Sequence, residues 1–211
     1  MAEYDTGEEL ANALSHGLGV ALAVTALPLL VISAAVAGDG WKVVSLAIYG
    51  ASLVFLYTAS TLYHAFRSPE LKRFFRKFDH AAIFVLIAGT YTPYALVTLR
   101  GPWGWTLFGV VWTMAAAGVT LKFVFFGRWT AVSVGVYLIM GWVGIVAIHK
   151  LYMALPAGGF FWLVAGGLSY TSGVAFYAWK KLPLNHAVWH LFVLGGSLAH
   201  FLGIYFYVLP S

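Results

Sequence analysis

The chain has 211 residues, 62% of them hydrophobic and 9% charged, and its mean hydropathy of +0.86 excludes an ordinary soluble domain. The formal net charge is +5, and the absence of cysteine rules out disulfides and thiolate metal sites and gives no sign of redox compartment. Apolar runs near the ~20 residues that cross a bilayer as a helix recur between short polar breaks and use nearly the whole chain. We therefore expect an all-α integral membrane protein, one seven-helix transmembrane domain over residues 1–211. A barrel is excluded because runs such as "AAIFVLIAGTYTPYALV" are apolar on every face rather than alternating.

The first run, Ala11–Val36, follows the acidic "MAEYDTGEELANALSHG", which lacks the basic region of a cleaved signal peptide. His16 lies near its start, after Glu8, Glu9 and Asn12, and is a candidate for a layer behind a site. Pro28 is expected to kink or loosen this helix. The second run, Trp41–Phe66, ends with Ser60 and His64 in an S-x-x-x-H spacing that puts both on one helical face. Next comes "RSPELKRFFRKFD", five basic residues with three phenylalanines. It is expected to lie on anionic inner-leaflet lipid as a short amphipathic segment. Topology and lipid contact account for it, and no nucleic-acid partner is expected.

The third run, Asp79–Leu99, opens on Asp79 and contains Pro93, a second kink position; His80 points about 100° away from Asp79 around the helix. The fourth, Pro102–Phe126, has Pro102 in its first turn. The fifth, Thr130–Ile148, is followed by His149 in a solvated break. The sixth, Gly159–Trp179, and the seventh, Leu184–Val208, each carry a Gly-Gly pair, at Gly166 and Gly195, that would let helices approach closely. The seventh also carries His186, His190 and His200. The sequence sets no oligomeric state.

With the N-terminus placed in the cytoplasm, nine Lys and Arg fall inside (Arg67, Lys72, Arg73, Arg76, Lys77, Lys122, Arg128, Lys180, Lys181) and three outside (Lys42, Arg100, Lys150). That asymmetry predicts N-terminus in, C-terminus out, in the cell membrane. His64, Asp79, His186 and His190 then all fall within one or two turns of the cytoplasmic boundary, at 1.5 Å of rise per residue.

A histidine pair at i and i+4 presents two imidazoles on one face, the spacing that brings two nitrogens to one cation at about 2.0–2.1 Å. His64 from a neighbouring helix would be the third ligand and leave a fourth position for water, as in catalytic zinc sites. Intramembrane ionisable groups are costly and usually functional. Asp79 would ligate the metal, orient its water or take a proton, and also fits a helix N-cap. Ser60 would donate to that water or to a substrate carbonyl, or else bond its own backbone. His200, ten residues beyond His190, is too far along the helix to join the same ion. Zincin, P-loop and nucleophile-elbow motifs are absent.

The ordered stretches "EELANALSHGLG", "STLYHAF", "FDHAAIFVLIAGTYTPYAL" and "NHAVWHLFVLGGSLAHFLGIY" closely resemble the bacterial hemolysin III branch of the progestin and adipoQ receptor family, over essentially the whole chain. The wider superfamily includes alkaline ceramidases. The resemblance implies seven transmembrane helices with a cytoplasmic N-terminus and a zinc ion held by His64, His186 and His190. It also implies Asp79 beside the zinc water and Ser60 lining the same pocket. Animal receptor members look like zinc amidases of ceramide-type lipids, whereas the bacterial branch is named for haemolysis.

Three functions follow. The first is a zinc-dependent hydrolase of a lipid amide or ester, with Asp79 and Ser60 catalytic and a membrane lipid as substrate. The second is a metal-binding sensor or homeostasis protein without turnover. The third is a pore-forming cytolysin, against which stands the clustering of polar residues near one face.

Overall fold

The computed structural model describes residues 5–124 and 130–211. Among these, seven helical spans are long and apolar enough to cross a membrane, and the chain is a multi-pass membrane protein. Thr6–Val36 (α1) begins five residues before its apolar run because Asp5 caps it, accepting the Glu8 N–H at 2.8 Å, with Glu8 and Glu9 in the first turn complementing the helix dipole. Along α1, Leu10, Leu14, Leu18 and Leu22 are exposed, while Asn12, His16, Gly19 and Ala23 are buried. Successive exposed leucines are one turn apart, so one stripe of α1 faces lipid and the polar stripe faces the bundle.

Gly40–Ala65 (α2) is capped by Asp39, which accepts the Trp41 N–H. The third span departs from the sequence expectation. Pro69–Pro93 (α3) starts ten residues before Asp79 and continues as a π-helical turn, Tyr94–Leu99. The basic stretch is therefore the first part of a membrane helix and not a separate segment or loop. Asp79 is accordingly no N-cap, since Ser68 occupies that position. The physical reason is legible in retrospect. Pro69 and Glu70 suit a helix start, and Leu71, Phe74, Phe75 and Phe78 recur at helical spacing. The missing N–H of Pro93 comes just before the π turn.

Positive φ at Arg100 (21°) and Gly101 (95°) turns the chain into Pro102–Val124 (α4). The expected end of this helix at Phe126, and Arg128 of the charge count, lie outside the described residues. The fifth span is broken, contrary to the single helix expected over Thr130–Ile148. It consists of Thr130–Trp142 (α5), a 3₁₀ turn Val143–Ala147, and Ile148–Ala154 (α6). Tyr91 of α3 bridges the break: its hydroxyl donates to the Gly141 carbonyl at 2.6 Å and accepts the Gly144 N–H at 2.8 Å. Helix breaks are common where a side chain inserts into the backbone ladder.

Ala157–Ala178 (α7) and Asn185–Gly203 (α8) close the bundle, α8 ending in a second π turn, Ile204–Val208. The Gly-Gly pairs do bring α7 and α8 together. A Cβ added at Gly196 would lie 2.5 Å from the Tyr170 ring, and one at Gly166 would lie 2.5 Å from His200. A polar node ties α2, α7 and α8 at Ser197. Its hydroxyl accepts from Tyr57 at 2.7 Å and lies 2.9 Å from the Tyr170 hydroxyl, while its carbonyl accepts from Tyr49 at 3.2 Å.

Candidate metal centre

The end of α2 and the start of α8 meet at one end of the bundle. Asn185 secures the junction by donating to the carbonyls of Phe176 and Tyr177 at 3.2 and 2.9 Å, which satisfies the exposed end of α7. The turn before it places Leu184 in the left-handed region (φ 55°), a conformation a branched side chain adopts only when its surroundings impose it. His186 and His190 follow on the inner face of α8.

His64, His186 and His190 are 3%, 6% and 0% exposed, and each offers a nitrogen within 4.8 Å of the others. Ring centroids are 5.1 Å apart for His64 and His186, 5.2 Å for His64 and His190, and 4.6 Å for the α8 pair. The donor set of three imidazoles fits a divalent transition metal. The Nε2 of His190 is buried with no hydrogen-bond partner among the described residues, which is costly unless something takes its lone pair.

A layer from α1 stands behind these rings. Glu9 Oε2 lies 2.7 Å from His64 Nδ1, and Glu9 Oε1 lies 2.6 Å from Lys72 Nζ of α3. The Ser15 hydroxyl donates to the Asn12 carbonyl at 2.9 Å and lies 3.0 Å from His190 Nδ1. His16 stacks flat on His190 and meets Tyr57 edge-on at 5.1 Å.

Asp79 is 8% exposed and stands outside the group of three ligand nitrogens. It lines, with His16 and Trp189, one end of a cavity of about 180 Å³. Ser60, expected to line the same pocket, is instead fully buried one turn before His64 and is not among the residues that line this cavity; its hydroxyl has no hydrogen-bond partner among the described residues. From Asp79 the cavity runs along α3, α7 and α8 to Tyr94 and His200. Its remaining wall is mainly apolar and includes Trp142, Ile145 and Ile148, which are themselves exposed on the membrane-facing flank. His200 is thus at the far end of the cavity and away from the three-histidine group. His149 is exposed. His80 is partly buried and receives the Tyr137 hydroxyl on its carbonyl at 2.8 Å.

Sequence reasoning missed Ser15 and Lys72, and it did not find the cavity. A carboxylate, a hydroxyl and a histidine recurring along the inner stripe of an otherwise apolar α1 were the available signal, since each is expensive in lipid without a partner. Nothing local marks Lys72 as the partner of Glu9.

A sequence model of the family described as Haemolysin-III related matches residues 4–201. The chain is 50% identical over 204 residues to "Hemolysin-3" of Bacillus cereus, covering 97% of this chain and 93% of that protein. It is 48% identical over 200 residues to "Hemolysin-3 homolog" of Bacillus subtilis, covering 95% and 94%. It is also 28% identical over 210 residues to the human "Monocyte to macrophage differentiation factor", covering 97% and 86%.

Proposed function

The chain belongs to the Haemolysin-III related family, within the progestin and adipoQ receptor family, and from that premise we propose that it is a zinc-dependent intramembrane hydrolase of a lipid amide or ester. The observation that carries this reading is the three-histidine cluster at one end of the bundle beside a mainly apolar cavity walled in part by lipid-facing residues. An acyl chain entering from the membrane would lie along that cavity with its polar linkage near Asp79.

A bound zinc supplies Lewis acidity and a water of lowered pKa. Asp79, on the cavity wall, accepts a proton in the first step and returns it to the leaving group. Ser60, buried behind the cavity wall with no hydroxyl partner among the described residues, would donate to the substrate oxygen as charge builds there. Trp189 and the aliphatic lining keep bulk water from the linkage. We place this end of the bundle on the cytoplasmic side, where basic residues are concentrated, with the 67–77 stretch against anionic lipid.

The test is metal content by plasma mass spectrometry on detergent-purified protein, followed by fatty-acid release from N-acyl and ester lipids. About one zinc per chain, with release that Asp79→Ala abolishes, supports the hydrolase. Zinc without release from any lipid class leaves a metal-holding protein and sinks the enzymatic reading.

A further inference from the structure

Two of the three candidate ligands are held from behind by α1, and the chemistry of the two contacts is the same. The Glu9 carboxylate, when ionised, only accepts hydrogen bonds, so the 2.7 Å contact to His64 Nδ1 requires an N–H on that nitrogen. The Ser15 hydroxyl lies 2.9 Å from the Asn12 carbonyl as its donor; with its one proton committed there, the 3.0 Å contact to His190 takes an N–H on Nδ1. In a neutral imidazole the lone pair then sits on Nε2 in both rings.

We propose that Glu9 and Ser15 are the positioning residues of the metal centre, fixing His64 and His190 in the Nδ1–H form so that both present Nε2 to one ion, with Lys72 anchoring Glu9. The inference rests on the metal reading above, not on turnover. A carboxylate or hydroxyl behind a ligand histidine sets ring orientation and raises ligand basicity. The two contacts differ in strength. Glu9 bears charge and bonds His64 at the shorter distance, whereas the neutral Ser15 is the weaker acceptor.

Lys72 extends the link beyond the site. It lies on the part of α3 that precedes Asp79, 2.6 Å from Glu9 Oε1 and 5.2 Å from the centre of the Tyr63 ring. The carboxylate is thereby held at both oxygens, one on α2 and one on α3. Removing Lys72 takes away the partner of Glu9 Oε1, so its effect on the metal should pass mainly through Glu9, with a smaller part through Tyr63, whose ring packs on His64 at 4.5 Å.

The experiment is zinc affinity by chelator competition on the full chain in detergent, for wild type, Glu9→Gln, Ser15→Ala, Lys72→Met and Glu9→Gln/Lys72→Met. Glu9→Gln is expected to lose about ten- to a hundredfold in affinity, and Ser15→Ala somewhat less. Lys72→Met should weaken binding alone and add little to Glu9→Gln, the signature of action mainly through one residue. Nitrogen NMR of ¹⁵N-histidine protein gives a readout that simple bracing would not move. The Nδ1–H signals of His64 and His190 should be present in the metal-free wild type and redistribute between tautomers in the respective variants. Affinities within twofold of wild type in both Glu9→Gln and Ser15→Ala would overturn the proposal while leaving the metal centre standing. A wild type with no zinc affinity would overturn both.

Discussion

The His16 ring lies on the His190 ring with centroids 3.5 Å apart and planes 10° from parallel, which makes an α1 side chain the floor beneath a candidate ligand. Both rings are buried, so truncating one leaves a void into which the other can tilt. Aromatic pairs contribute about 0.5–1.5 kcal/mol beyond area burial. His16→Ala is therefore expected to weaken zinc binding roughly two- to tenfold, whereas His16→Phe keeps the stack and most of the affinity. Chelator competition decides between them. Equal affinities for the two variants would show that the stack does not orient His190.

Metal removal should also be visible in stability. An ion bound only by the folded bundle stabilises it by RT ln(1 + [L]/Kd), about 2.7 kcal/mol at a hundredfold excess over Kd. Chelation should thus lower the unfolding temperature of the wild type. His64→Ala, His186→Ala and His190→Ala should each lose stoichiometric zinc and the chelator response while keeping helical circular dichroism. A chelator-induced shift that survives in all three variants would place the ion elsewhere.

Hydropathy alone located the seven spans, because in lipid every backbone polar group must be satisfied within a helix. It misplaced the start of the third, since the charges of Arg73, Arg76 and Lys77 mask the helical spacing of Leu71, Phe74, Phe75 and Phe78. The histidines could be grouped from their positions at span ends and from the i, i+4 pair, and the structure does bring His64 to His186 and His190. What stayed hidden depends on contacts between distant residues. Tyr91 bonds into a helix break 50 positions away, and Glu9 meets His64 across 55. No local pattern of residues encodes either meeting.

The α7–α8 contact makes a sharp prediction about side-chain size. Gly196→Ala would press a methyl against the Tyr170 ring at 2.5 Å, but nothing lies within 4 Å of a Cβ at Gly109. Overpacking of this kind costs about 1–3 kcal/mol, whereas Gly→Ala in an open helical position is neutral or stabilising by about 1 kcal/mol. Thermal unfolding in detergent should therefore fall for Gly196→Ala and hold or rise for Gly109→Ala. A Gly196→Ala protein as stable as wild type would mean that α7 and α8 are not pressed together at this point.

Tyr91→Phe removes the hydroxyl that bridges Gly141 and Gly144 and leaves a carbonyl and an N–H without it at the α5 break. Losing a buried partner costs about 1–3 kcal/mol. The cost should be local, read as faster hydrogen exchange at the Gly144 amide with little change at α2 or α8. Unchanged exchange there would mean that the break is held by the backbone alone.

On the proposed reading the cavity would take the lipid and the three histidines the metal, so filling the cavity should split the two. Val164 lines it from α7 and is not one of the candidate ligands. Val164→Phe puts an aromatic ring into space that an acyl chain would use, and it is expected to leave the zinc stoichiometry of the wild type intact. Release of long acyl chains should fall while release of short ones persists, because a chain that no longer fits loses binding energy along its length and short chains never reach that far. A variant that loses all chain lengths equally while keeping its zinc would place the acyl path somewhere other than this cavity.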